Sequence, residues 1–237
     1  MTVVFPAAAV LGGLLGALGA RTNNVRAADE RILWVAAGLV GGPLALAEWA
    51  WAAELANLIL PALDLPPVAV ALAISSTTGL AGAAITPALD HSDRPPRWLA
   101  SIVIKGLRSP IATSAGLLAA AAVKLSGRPV DFRRGMLFID VGPGGSALAL
   151  GAVAWCQARC FGGDRCATDA LARHEALHSR TVAAVGELGF YLTYVTAGVI
   201  WARLQGGPWN SLTRQGRGQP FEKTAHTFTR NQQMPHR

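Results

Sequence analysis

Residues 32–53 read ILWVAAGLVGGPLALAEWAWAA, and the class assigned to that run decides the fold. A helix needs about 20 mostly apolar residues to cross a hydrocarbon core, and this run has them. Trp34, Trp49 and Trp51 stand toward its ends, where aromatic side chains favour the membrane–water interface. Glu48 near the far end is read as a carboxylate snorkelling toward the headgroups. Two neighbouring runs share this character, TVVFPAAAVLGGLLGALGA at 2–20 and PVAVALAISSTTGLAGAAITPAL at 67–89. The first lacks the Lys or Arg that precedes the apolar core of a signal peptide, so an uncleaved span is expected. The third is rich in small residues, which let helices approach closely in lipid.

The whole chain supports this reading. It is 51% hydrophobic and only 15% charged, with a mean hydropathy of +0.35. Soluble domains carry roughly a quarter charged residues. The net charge of +7 is scattered in short clusters beside apolar runs. No long basic helix or aromatic-interleaved basic patch occurs, so lipid is the expected partner and nucleic acid is not. The loop at 21–31 holds Arg21, Arg26 and Arg31, the loop at 54–66 has no Lys or Arg, and 90–97 holds Arg94 and Arg97. With the N-terminus outside, three crossings place the basic loops inside, as the positive-inside rule requires. Residues 98–123, interrupted by Lys105, Arg108 and Pro110, read as an interfacial piece followed by a short helix, or as a fourth crossing. The fourth crossing would put Lys124, Arg128, Arg133 and Arg134 outside, so three crossings are preferred.

From about residue 129 the pattern changes. MLFIDV (136–141), GPGG (142–145) and SALALGAVAWC (146–156) read as two strands joined by a glycine-rich turn. GPGG lacks the Gly-Lys-Ser/Thr ending of a phosphate loop. Cys156, Cys160 and Cys166 have neither disulfide-framework nor zinc-ribbon spacing and read as small, partly buried thiols. Thr168 is placed to cap a helix with Asp169 in its first turn. An apolar run at 188–204 is open between a buried helix, an interfacial helix and a further span. A Gly/Arg/Gln-rich loop (205–219) precedes a short helix that begins at Pro220. The organisation expected is a transmembrane region at 1–97, a connector at 98–130, a metal-site domain at 131–230 and a tail at 231–237.

The helix after Thr168 carries RHEALHSRT (173–181). Residues four apart on a helix differ by about 40° around its axis, so His174 and His178 project together and can offer two nitrogens to one Zn²⁺. Glu175 lies roughly 100° from His174, suited to taking a proton from an activated water. Ala170, Leu171, Thr181 and Val185 fall on the histidine side. Arg173, Ala176, Arg180 and Ala183 fall opposite, which predicts outward-facing arginines. Three residues are open as the third ligand: Glu187, Glu222 and His226. Glu187 would point about half a turn away on a continuous helix. Glu222 would come from a later antiparallel helix and leave one coordination position open. His226, one turn beyond Glu222, is open between an alternative ligand, a partner of a ligand and a tail histidine.

H-E-x-x-H followed by E-x-x-A on a later helix resembles the gluzincin membrane metallopeptidases of the HtpX and CAAX-prenyl protease type. HEALHSRT…QPFEKTA is also similar to uncharacterised bacterial membrane proteins with H-E-x-x-H-x-x-Q…N-P-F-E-x-x-A. The resemblance covers roughly residues 136–228. It implies zinc ligands at His174, His178 and Glu222, with Glu175 as base. The fold expected is mainly α, integral membrane helices with a C-terminal α+β zincin-like unit, in a bacterial plasma membrane with the site on the cytoplasmic side as the basic loops require. Thr181 stands where the pattern has Gln, Gln219 where it has Asn, and His226 where the peptidases have Asp. The function expected is a zinc-dependent membrane metallopeptidase acting on peptides or proteins. The alternative is a non-catalytic metal-binding protein that serves a partner or a membrane complex.

Overall fold

The computed structural model describes residues 3–90, 95–141, 147–156, 169–204, 221–222 and 225; these are mainly helical, with one small mixed sheet. The GPGG turn, Cys160, Cys166, the Thr168 cap, Gln219, Pro220, His226, the 205–219 loop and the tail lie outside the described residues.

Helices α1 (Val4–Thr22), α2 (Ala28–Ile59) and α3 (Pro67–Ala84) are each long and apolar enough to cross a membrane. α2 runs beyond the apolar stretch at both ends, and Asp29 and Glu30 in its first turn complement the helix dipole. The three helices meet through small residues. A Cβ on Gly12 would strike the Gly38 carbonyl oxygen, and one on Gly38 would strike that of Gly12. α1 and α2 therefore touch backbone to backbone, which in lipid replaces the hydrophobic driving force with dispersion. Leu14, Ile32, Leu58 and Leu80 point outward from this bundle.

After the short α4 (Thr86–Asp90), residues 95–125 form two helices rather than one, α5 (Pro95–Arg108) and α6 (Pro110–Leu125). At 14 and 16 residues each is shorter than the bilayer core, at about 1.5 Å of rise per residue. α5 is inverted relative to a water-facing helix. Ser101, Lys105 and Arg108 are buried, whereas Leu99, Val103 and Leu107 are exposed.

The sheet corrects the expected hairpin. Residues 147–156 are not one strand but two, β3 (Ala147–Leu150) and β4 (Val153–Cys156), reversed at Gly151 with φ +59. β2 (Met136–Asp140) pairs with β1 (Val130–Arg133) antiparallel and with β4 parallel, giving the order β1-β2-β4-β3. β3 is thus an edge strand that does not touch β2. Alternation along β2 serves two faces. Met136 and Phe138 pack with Ala172 and Ala176 of α7 (Asp169–Val185), while Leu137 and Ile139 pack toward Ala120 of α6. The sheet is a layer between those helices, with Cys156 buried on the α7 side.

α7 is wedged against the C-terminal ends of α1 and α3 and the N-terminal half of α2. A Cβ on Gly82 of α3 would meet the Ala183 carbonyl, one on Gly41 of α2 the Val185 carbonyl, and one on Gly19 of α1 the Ala184 side chain. This overturns the outward arginine face: Ala176 and Ala183 are fully buried, and Arg180 is 3% exposed. Its Nε donates to Asp90 at 2.7 Å. The expected stripe failed because α7 is packed from Glu175 onward between α1–α3, the sheet and α8 (Glu187–Leu204), while Arg173 nearer its start is half-buried. α8 is not among the helices apolar enough to span.

Candidate metal centre

One helical turn separates His174 from His178, and their Nε2 atoms stand 3.1 Å apart. Glu222 completes a triangle, with Oε2 3.1 Å from His174 Nε2 and Oε1 3.2 Å from His178 Nε2. Phe221 and Ala225 hold this glutamate in place. Both are buried in the cluster that contains Leu177, Val182 and Trp34, so the carboxylate between them is aimed at α7. The Tyr194 phenol of α8 donates to Glu222 Oε1 at 2.6 Å. Phe190 packs edge-on to Phe221 and lies against the His178 ring, giving the site an apolar wall.

The donor set suits a cation. Ligands about 2.0–2.1 Å from a tetrahedral ion stand roughly 3.3–3.4 Å from one another, close to the edges seen here. Two imidazole nitrogens facing each other share at most one proton, whereas a cation satisfies both lone pairs at once. His174, His178 and Glu222 thus form a group that can hold a metal ion. Burial alone would raise the Glu222 carboxyl, but the neighbouring His174 and His178 outweigh it and hold it well below the ordinary carboxylate range.

Glu175 is 3% exposed, behind His174 on the same helix. Burial pushes its carboxyl up to about 7; the Glu222 charge adds to this, while His174 and a hydrogen bond from the Ala149 backbone oppose it. Ala149 belongs to the edge strand, and its carbonyl accepts from Tyr191 at 3.1 Å. Its outward amide and carbonyl are therefore both engaged within the chain.

The other candidates separate from the site. Glu187 starts α8 and caps α6 instead, both of its oxygens lying 3.1–3.2 Å from the Ala112 amide. Thr181 is buried and bonded to the Leu177 carbonyl of its own helix, so it packs rather than facing the triangle. Tyr194, Tyr191 and Asp90 were not singled out from the sequence. The two tyrosines read there as apolar-run residues, and nothing local signals a bond to another element.

No protein-family model matches the chain, and comparisons with curated proteins and with solved structures find no match.

Proposed function

We propose that the protein is a membrane-embedded, zinc-dependent metallopeptidase-like protein whose site is built from His174, His178, Glu222 and Glu175. The observation that carries this reading is the triangle of donor atoms 3.1–3.2 Å apart beside a buried carboxylate. Two imidazoles and a carboxylate are the usual donor set of a catalytic zinc with one open position. Zinc held there would supply a Lewis acid and an acidified water. Glu175 would take the proton of the attacking water and pass it on to the leaving amine. Tyr194 would keep Glu222 oriented. The zincin-like arrangement is supported by the H-E-x-x-H helix packed under a sheet whose edge strand is β3. A substrate adding to that edge would first have to displace the bonds of Glu175 and Tyr191 to Ala149.

α7 docks where α1 and α3 both end, beside the arginine loop at 21–31. By the positive-inside rule we place the site at the cytoplasmic face of a bacterial plasma membrane. A reporter fused after residue 130 that reads on the outer side would overturn this placement.

The test is metal content and peptide hydrolysis for the wild type, His174→Ala and Glu175→Gln purified in detergent. The expected result is a single zinc in the wild type, none in His174→Ala, and zinc without hydrolysis in Glu175→Gln. A wild type free of zinc would sink the metal reading. Zinc without hydrolysis in the wild type would favour the non-catalytic alternative, which the internal bonds to Ala149 also suit.

A further inference from the structure

The turn between α1 and α2 borders an open cavity of about 510 Å³ lined by Ala17, Ala20, Val25 and Val35 together with Arg21, Arg26 and Arg31. Asn24, also on its wall, has φ +54, a left-handed conformation that asparagine tolerates. That tight reversal brings Arg21 from the end of α1, Arg26 from the turn itself and Arg31 from the first turns of α2 around one space. Arg31 is fixed in advance, its Nε donating to the Val25 carbonyl at 2.7 Å. Among the described residues no carboxylate lies within ion-pair distance of Arg21 or Arg26, and both are exposed. Asp29 and Glu30 are in the same turn of α2 but do not line the cavity.

We propose that this cavity binds the phosphodiester headgroup of an anionic phospholipid. Three arginines lining one space with no carboxylate among the lining residues suit a phosphate ester, which guanidinium groups recognise with paired N–H donors. The source is argued from position and size. The cavity lies at the ends of two candidate membrane spans, which in a bilayer would be the layer of headgroups. Its volume is that of a pocket for a small molecule rather than for a lone ion. Leu14 of α1 and Ile32 and Leu39 of α2 are exposed on the two helices that frame it, offering apolar surface to acyl chains. Basic pockets between spans are a general means of holding anionic headgroups. Ala20 and Val25 line the cavity and also belong to the buried cluster that packs Leu177 and Phe221, so a bound lipid would brace the wall of the metal site. The proposal stands independently of any hydrolytic activity.

The experiment is native mass spectrometry of the full chain in a non-ionic detergent, titrated with phosphatidylglycerol, with phosphatidylcholine and with inorganic phosphate. The wild type should bind phosphatidylglycerol in preference to phosphatidylcholine. Arg21→Gln/Arg26→Gln should bind phosphatidylglycerol about thirtyfold more weakly, about fivefold for each charge removed at a headgroup surface. Lys124→Gln/Arg128→Gln, which removes the same charge elsewhere, should bind as the wild type does. Should the first double variant unfold, Arg26→Gln alone serves, with a fivefold loss expected. Equal binding of the two lipids, or no loss in the Arg21/Arg26 variants, would overturn the proposal. So would inorganic phosphate that binds alone and displaces the lipid at millimolar concentration, which would assign the cavity to a soluble phosphate ester.

Discussion

The phenol of Tyr194 and the carboxylate of Glu222 come from different elements, and their 2.6 Å bond fixes one oxygen of the third candidate ligand. Partners of this kind set the angle and basicity of a ligand, and losing one costs roughly 10–100-fold in metal affinity. Tyr194→Phe keeps the ring packed on Phe221 and Phe190 and removes only the donor. Zinc affinity, measured by competition with a chromophoric chelator, should fall about tenfold with the fold unchanged. Unchanged affinity would show that packing alone orients Glu222. The contrast between this tyrosine and the histidines explains what the sequence could disclose. His174 and His178 are related by helical geometry, which a spacing of four residues encodes. Glu222 was legible as a candidate because few carboxylates follow the motif. Tyr194 was hidden because its bond depends on how α8 packs against Phe221 and Glu222, which no local pattern records.

At the scale of elements, glycine decides where α7 can sit. A Cβ on Gly41 would collide with the Val185 backbone carbonyl, and backbone cannot swing aside as a long side chain can. Gly41→Ala should therefore push the C-terminal end of α7 off α2 and cost at least the ~1–3 kcal/mol typical of overpacking. Gly106→Ala is the matched control, since the nearest atom, Thr113 Cγ2, is 3.4 Å away. There the gain in helix propensity, up to ~1 kcal/mol, should leave the protein as stable or more so. Unfolding midpoints of the two variants in one detergent check the pair; equal shifts would mean that the glycine contacts do not hold α7. The spans were legible because apolar length is a property of the sequence itself. The sheet was misread at Gly151, where a lone glycine in SALALGAVAWC marks a reversal rather than a strand interior. The parallel β2–β4 pairing has no local signal, because both sheet faces are buried and the apolar run is nearly continuous.

Across the whole molecule, one buried polar cluster joins the spans to the metal helix. Asp90, at the end of α4, receives Lys105 Nζ at 2.9 Å from α5 and Arg180 Nε at 2.7 Å from α7. Ser101 donates to the same carboxylate, and Lys105 also donates to the Gly135 carbonyl at the β1–β2 turn. Asp90 and Lys105 are fully screened from solvent, and Arg180 nearly so. An inverted α5 makes sense in this light: its polar face is turned inward to serve the cluster, and its apolar face is left exposed. Removing one member of such a group strands the others as uncompensated buried charge, a loss of about 3–5 kcal/mol. Asp90→Ala should therefore lower stability by that order, and because Arg180 lies two residues from His178, zinc retention should fall with it. Lys105→Met alone should cost less, since Asp90 keeps Arg180 and Ser101. The double variant Asp90→Ala/Lys105→Met should lose less than the two single losses added together, because the stranded ammonium is gone. Thermal unfolding of all four proteins in one detergent measures the coupling. Strictly additive losses would show that Lys105 answers to the Gly135 carbonyl rather than to Asp90, and that the spans and the metal helix are held together by packing alone.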